Sequence, residues 1–128
     1  MERKKKILVV EDDIGSRKLI LLILGAAYDL IEAADGAEAI DRAHASEPLD
    51  LIIIDLELPD VTGDKVIRQL KDDPSTTHIP VLVTTSSDRG SLLVQRAIDA
   101  GAATILYKPT PMNVLVAEVG RYLSQRAR

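Results

Sequence analysis

Short runs of branched aliphatic residues recur along the chain, and three of them are continuously apolar rather than alternating with polar residues. That pattern is typical of strands covered on both faces, as in a parallel sheet. Segments of helix length separate the runs, with Gly, Pro and Asp at the junctions. The predicted strands are Ile7–Val10, Asp29–Ala33, Leu51–Ile54, Val81–Thr85 and Thr104–Tyr107. The predicted helices are Ser16–Ala27, Ala37–Ala45, Asp64–Asp72, Ser91–Ala100 and Met112–Arg126.

Strict alternation of strand and helix predicts a doubly wound (βα)5 fold of the α/β class, in which helices cover both faces of one sheet in a three-layer sandwich. We expect a parallel sheet with the strand order 2-1-3-4-5, one of the two common orders of such folds. Five strands and five helices use up the 128 residues. We therefore expect a single domain over residues 1–128, with no output domain after the last helix.

Composition and charge narrow the class of protein. The chain has no Phe, Trp or Cys, so the core must be aliphatic, and a disulfide framework, a thiolate metal site and a Cys nucleophile are excluded. A net charge of −4 argues against direct binding to nucleic acid. The longest nearly apolar stretch, Leu19–Tyr28, is too short to span a bilayer, so we expect a cytoplasmic protein without membrane contact. His44 and His78 have no partner at metal-ligand spacing, and we expect both at the surface.

Polar side chains follow four of the predicted strands at the point where each strand ends. Glu11–Asp13 come after the first strand, Asp55 after the third, Thr85 ends the fourth, and Lys108 follows the fifth. Because ligands of open parallel sheets bind beyond the carboxyl ends of the strands, these groups are expected in one crevice. Converging carboxylates repel each other, and a divalent cation such as Mg²⁺ (or Mn²⁺) would explain their persistence. Asp is also a competent nucleophile for phosphoryl transfer.

Each of these residues has a simpler explanation when it is taken alone. Asp13 could be an ordinary helix N-cap, Lys108 a solvated loop lysine and Thr85 a common strand residue. Asp55 is harder to explain in that way, because a carboxylate seldom follows directly after a buried aliphatic run. Their joint placement at four strand ends favours the functional interpretation.

As a set, these residues and their spacing resemble the receiver domain of two-component response regulators. The resemblance runs from about Lys6 to Leu123 and rests on Asp12-Asp13, Asp55-Leu-Glu-Leu-Pro59, Gly63, Thr85 and Lys108-Pro109. It implies that Asp55 accepts a phosphoryl group, and that Thr85 and Lys108 contact this group and drive a conformational switch. It also implies that Asp12, Asp13, Asp55 and the backbone carbonyl of Glu57 hold Mg²⁺.

The same resemblance implies partners. A histidine kinase or a histidine phosphotransfer protein would donate the phosphoryl group, and a downstream effector would recognise the switched state. The chain departs from the family at the switch, because Ile105 occupies a position that is often aromatic and Thr110 stands where Phe often follows Lys-Pro. We do not assign the role of the missing aromatic to Tyr107.

Two other functions are compatible with parts of the pattern. A phosphohydrolase that resembles the haloacid dehalogenase class would use Asp55 as a turnover nucleophile, but that class has Asp-x-Asp and this chain has Glu57 at the second position. A flavodoxin-like flavin carrier shares the fold, but the loop after the first strand is acidic and would repel a flavin phosphate.

The first helix carries an apolar surplus. A core-facing stripe of Leu19, Ile20, Ile23, Leu24 and Ala27 leaves Leu21 and Leu22 on the outer side. Scattered exposed leucines are ordinary, and a neighbouring helix could cover them. The functional interpretation is that Leu21 and Leu22 dock a helix, either of a histidine-containing phosphodonor or of a second copy of this domain.

Overall fold

The computed structural model describes residues 3–45 and 48–126 of the chain. Strands and helices alternate as predicted. The strands are β1 (Lys6–Val10), β2 (Asp29–Ala33), β3 (Leu51–Asp55), β4 (Val81–Thr85) and β5 (Thr104–Tyr107). The helices are α1 (Ile14–Leu24), α2 (Gly36–Ala43), α3 (Gly63–Asp72), α4 (Leu92–Ala100) and α5 (Met112–Arg126).

The five strands form one parallel sheet in the order β2-β1-β3-β4-β5, which confirms the predicted fold. β1 and β3, which flank the point where the strand order reverses, are paired through Val10 and Ile54. Asp55 is paired with Thr84 on β4. This register places the last residues of β1, β3 and β4 side by side at the carboxyl end of the sheet, where such folds bind ligands.

The core consists of two aliphatic clusters, one on each face of the sheet. Leu8 and Val10 point to the cluster under α2, α3 and α4, whereas Ile7 and Val9 point to the cluster under α1 and α5. Successive strand residues alternate between the two faces, and both faces are covered. This arrangement explains why the central strands are continuously apolar.

Helix α1 differs from its prediction in both its bounds and its orientation. It ends at Leu24 rather than Ala27, and Gly25 caps it by donating its N–H to the Leu21 carbonyl at 2.8 Å. The predicted core stripe is wrong at Leu19, which is 55% exposed, and at Ala27, which is exposed beyond the helix.

The orientation of α1 has an electrostatic cause. Arg17 lies against the sheet, where it donates to the Glu11 carbonyl at 2.7 Å and to the Glu32 carboxylate at 2.8 Å. These two bonds hold the arginine on the sheet side of the helix. Leu24 is buried in the cluster under α1 and α5, and Leu19 is turned toward solvent.

Two surface predictions can be compared directly with the structure. Among the described residues, no helix has the length and apolar character needed to cross a membrane. His44 and His78 are both exposed, as predicted.

Candidate functional site

The carboxyl ends of β1, β3 and β5 bring three charged side chains into contact. Asp55 is the last residue of β3 and is only 4% exposed. The Lys108 ammonium, which follows β5, donates to Asp55 Oδ2 at 2.8 Å and to Glu11 Oε2 at 2.9 Å. Glu11 is the first residue after β1 and is 2% exposed. One lysine therefore bridges two buried carboxylates from different strands.

A cluster of carboxylates with the geometry of a cation site surrounds this bridge. Glu11, Asp12 and Asp55 each offer an oxygen, and these oxygens all lie within 4.8 Å of one another. Mg²⁺ prefers carboxylate oxygens and is held by few protein ligands beside water and phosphate. Because one lysine does not neutralise three carboxylates, the donor set fits a hard divalent cation.

Asp13, predicted as a ligand, is engaged elsewhere. Its side chain accepts the Ser16 N–H at 2.7 Å and caps the N-terminus of α1. This backbone hydrogen bond lowers the pKa of the Asp13 carboxyl. The structure does not bring Asp13 into the carboxylate cluster, and its role as a metal ligand stays a prediction. Glu11 takes the place beside Asp12 that the resemblance had assigned to Asp13.

Burial dominates the titration of Asp55. It raises the pKa of this carboxyl to about 7, although the hydrogen bond from Lys108 opposes the shift. The neighbouring Glu57 and Glu11 carboxylates add to the rise. Burial acts to lower the pKa of Lys108, but its hydrogen bonds to Asp55 and Glu11 outweigh burial and raise it. The crevice thus holds carboxylates that oppose each other's ionisation around one lysine.

Hydroxyl groups from β4 and the loop after it form the other side of the crevice. Thr85 is fully buried at the end of β4, and its hydroxyl donates to the Glu57 carboxylate at 3.0 Å. Ser87 donates its hydroxyl to the same carboxylate at 2.5 Å. The Glu57 N–H donates in turn to Asp55 Oδ1 at 3.0 Å. Glu57 therefore connects the Asp55 carboxylate to the hydroxyls of Thr85 and Ser87.

A family model described as the response regulator receiver domain matches residues 7–120. The chain belongs to this family. The match covers β2 to β5, all of β1 but its first residue, and most of α5. It agrees with the lysine, carboxylate and threonine found at the carboxyl end of the sheet. Nothing in the comparisons favours the phosphohydrolase alternative.

Similar proteins extend this result. The polar-differentiation response regulator DivK of Brucella anthropi is 35% identical over 121 residues, with 93% of this chain and 96% of that protein covered. The chemotaxis protein CheY4 of Vibrio cholerae superposes with a TM-score of 0.85 at 28% identity, with 94% of this chain and 99% of that chain covered. The receiver domain of the sensor histidine kinase PA1611 of Pseudomonas aeruginosa, whose structure has a magnesium ion coordinated in its active site cleft, has a TM-score of 0.86 at 24% identity, with 95% of this chain and 99% of that chain covered.

The predicted switch position of this receiver domain lies in β5. Ile105 is half-buried and packs against the cluster under α2, α3 and α4. Tyr107, two residues on, is also half-buried, and the Arg89 guanidinium lies 4.2 Å from the centre of its ring. The aromatic group near the site is thus held by a cation–π contact from the loop after β4.

The outer side of α1 carries apolar residues, but not the predicted pair. Leu22 is 80% exposed, as expected, whereas Leu21 is half-buried. Leu19, which lies one helical turn from Leu22, is exposed instead. Leu19 also lines a groove of about 400 Å³ between α1 and α5 that reaches Glu11 and Lys108.

Sequence reasoning missed two residues of the site. Glu11 was placed at the strand end but was not assigned a role, although its position directly after the buried Val10 was the available signal. The Ser87 hydroxyl was missed because it reaches Glu57 only through the path of the loop after β4. No periodic pattern in the sequence describes that loop.

Proposed function

We propose that this receiver domain accepts a phosphoryl group on Asp55 from the phosphohistidine of a histidine kinase or a histidine phosphotransfer protein. An Asp55 oxygen attacks phosphorus, the P–N bond breaks, and the imidazole leaves. The observation that carries the proposal is the buried Asp55 carboxylate with the Lys108 ammonium 2.8 Å away, at the carboxyl end of β3. We take residues 1–128 as a single receiver domain, and a cytoplasmic location, a downstream effector and a second copy as partner stay predictions.

The carboxylate cluster has a defined part in this proposal. Glu11, Asp12 and Asp55 would hold Mg²⁺ (or Mn²⁺), with the Glu57 carbonyl as the further ligand that the family resemblance implies. The cation supplies charge neutralisation for the incoming phosphoryl oxygens, which the carboxylates would otherwise repel. The structure of one similar protein supports this assignment, since the PA1611 receiver domain has a magnesium ion coordinated in its active site cleft.

Lys108 and Thr85 would bind the phosphoryl group once it is attached to Asp55. Lys108 is a point charge that can leave the Asp55 oxygen for a phosphoryl oxygen without moving far. The Thr85 hydroxyl is a donor on the adjacent strand and can bind another phosphoryl oxygen. Movement of these two groups would carry the switch, with Ile105 in place of the usual aromatic residue.

Labelling with acetyl phosphate tests the function. In the presence of Mg²⁺ we expect one phosphoryl group per chain by intact mass, with the acyl phosphate stable in acid and labile in base. Asp55→Asn should abolish the label while the circular dichroism spectrum stays unchanged. Excess chelator should suppress labelling of the wild type. Continuous phosphate release would favour the phosphohydrolase, and equal labelling of the Asn variant would refute the assignment of Asp55.

We further propose that the donor protein docks a helix on α1. Leu19 and Leu22 supply an exposed apolar surface, and the groove beside Leu19 leads to Lys108 and Glu11. A helix seated there would hold its phosphohistidine next to Asp55. This revises the predicted docking pair, since Leu21 is half-buried and Leu19 is exposed.

A double variant separates docking from chemistry. Leu19→Glu with Leu22→Lys should slow phosphoryl transfer from a kinase or phosphotransfer protein of the source organism that labels the wild type. Acetyl phosphate labelling should be unchanged, because it needs no docking surface. Leu92→Glu, at an exposed leucine of α4, is the matched control. Equal transfer rates for wild type and double variant would contradict the docking surface.

A further inference from the structure

The Glu57 side chain makes contacts that its assumed role as a backbone ligand does not explain. Its carboxylate accepts the Thr85 hydroxyl at 3.0 and 3.3 Å through its two oxygens, and it accepts the Ser87 hydroxyl at 2.5 Å. The Ser87 N–H donates to the Thr85 oxygen at 3.0 Å. These bonds join the segment after β3 to the end of β4 and the loop that follows it.

A hydroxyl group has one proton to donate. The Thr85 proton is directed to Glu57, so it is not available to a phosphoryl oxygen on Asp55. A phosphorylated Asp55 and the Glu57 carboxylate, both anionic, would compete for the same donor. Because hydrogen bonds to charged groups are the stronger ones, the exchange has a substantial free-energy cost.

We propose that Glu57 is a positioning residue that retains the Thr85 hydroxyl and so opposes the phosphorylated conformation. This inference rests on the proposed function, since it requires that Asp55 receive the phosphoryl group. Breaking the Glu57–Thr85 hydrogen bond is then a step of the switch. The side chain at position 57 would then determine what fraction of the phosphorylated protein adopts the active state.

The environment of Glu57 allows this role to be separated from a structural one. The residue is exposed and lies outside β3, and it contributes nothing to either core cluster. The backbone around it is held independently, because Gly63 donates its N–H to the Leu56 carbonyl at 2.8 Å. Replacement of the side chain should therefore leave the fold intact.

Beryllofluoride, a non-covalent substitute for the phosphoryl group, provides the test. In saturating Mg²⁺, Glu57→Ala should bind it about tenfold more tightly than the wild type, as expected for loss of one competing hydrogen bond to a charged group. Glu57→Gln keeps an acceptor without charge and should fall between them. Asp88→Asn removes one exposed carboxylate from the loop that contains Ser87, and it should leave the affinity near that of the wild type.

A double-mutant cycle distinguishes hydrogen-bond competition from simple repulsion between anions. In a Thr85→Val background, which has no hydroxyl to retain, Glu57→Ala should change the affinity less than twofold. A tenfold effect that persists there would overturn the proposal. So would an unchanged affinity of Glu57→Ala in the wild-type background.

An NMR measurement keeps the test decisive if Thr85→Val binds too weakly for titration. The Ser87 amide reports on Thr85, because its N–H donates to the Thr85 oxygen. In the apo Glu57→Ala variant, its resonance should move toward the position it has in the beryllofluoride form of the wild type. A resonance that stays at the wild-type apo position would overturn the inference about Glu57 and leave the proposed function intact. A folded wild type that binds no beryllofluoride would instead refute the proposed function, and the inference with it.

Discussion

Asp55 and Asp73 lie at opposite ends of the sheet, and the protein shifts their pKa values in opposite directions. Asp73 caps the C-terminus of α3, where it accepts the Ser75 N–H at 2.9 Å and lies 2.6 Å from the His44 ring nitrogen. The backbone hydrogen bond from Ser75 and the contact with His44 lower the pKa of the Asp73 carboxyl to about 2. Burial raises the pKa of Asp55 to about 7, even though Lys108 contacts it.

The opposite pKa shifts distinguish a charge that belongs to the scaffold from one that belongs to the candidate site. At the amino end of the sheet, Asp73 has its own partners in the Ser75 N–H and the His44 ring. At the carboxyl end, the buried carboxylates of Glu11 and Asp55 share one lysine, and an Asp12 oxygen lies within 4.8 Å of an oxygen of each. A charge arrangement that disfavours its own ionised form is characteristic of functional sites, because a ligand can relieve it.

Lys108→Ala tests the carboxyl end most severely, because it removes the cation that both buried carboxylates share. We expect the fold to survive and the response to beryllofluoride to be lost, since no ammonium remains to contact the bound anion. Comparison of apo and beryllofluoride-treated NMR spectra measures this. Lys18→Ala, at an exposed lysine that lies 3.4 Å from the Glu32 carboxylate, is the control and should respond normally. A full set of beryllofluoride-induced shifts in Lys108→Ala would show that the lysine does not couple the site to the switch.

Asp55→Asn tests whether the apo crevice is unfavourable to folding. Since the folded pKa of Asp55 is about 7, above the ordinary value of 3.8, ionisation of this carboxyl destabilises the folded state as pH rises through that interval. The Asn variant should therefore be more stable than the wild type by about 2 kcal/mol at pH 8, and this advantage should vanish near pH 4.

Urea denaturation in chelator, at several pH values, gives the two free energies of unfolding. Asp88→Asn, at an exposed aspartate, should show no such pH-dependent gain. If Asp55→Asn is less stable than the wild type at pH 8, the hydrogen bond from Lys108 outweighs burial, and the contrast between the two ends of the sheet fails.

Glu11→Gln and Asp13→Asn separate the two candidate ligands at the end of β1. Glu11 belongs to the carboxylate cluster, whereas Asp13 caps α1. We expect Glu11→Gln to weaken Mg²⁺ binding by about tenfold because ligand charge tunes affinity. Asp13→Asn should change it by less than about twofold, since Asn is also a good N-cap. Isothermal titration calorimetry measures both constants, and a larger loss in Asp13→Asn would restore the original assignment.

This pair of residues shows where sequence reasoning succeeded and where it failed. Continuous apolar runs predicted a parallel sheet, because burial on both faces leaves a clear pattern in β1, β3 and β4, and the fold class supplied the strand order. The same logic brought Asp55 and Lys108 to one end of the sheet. The pattern could not show which of the three consecutive acidic residues after β1 lie in the carboxylate cluster. That depends on the direction of the backbone where the chain leaves β1 and enters α1.

Contacts outside the regular elements were the least predictable. The orientation of α1 depends on the hydrogen bonds of Arg17, and a hydrophobic stripe takes no account of a charged residue that lies against the sheet. The bonds from Thr85 and Ser87 to Glu57 depend on the backbone path of two loops. No periodicity describes such loops, so their contacts follow from the three-dimensional structure alone.

His44→Gln tests the amino end of the sheet and should have the smallest effect. Asp73 raises the pKa of His44, so the pair stabilises the fold fully below the ordinary histidine value of 6.5 and loses that contribution as pH rises through the higher folded pKa. Both side chains are 37% exposed, so solvent screening keeps the contribution of the pair small. We expect a small loss of stability at pH 5.5 that disappears by pH 8.5, with His78→Gln unchanged at both values. A loss that is constant with pH would mean that the amino end is stabilised by packing around His44, and that its contrast with Asp55 is not one of charge.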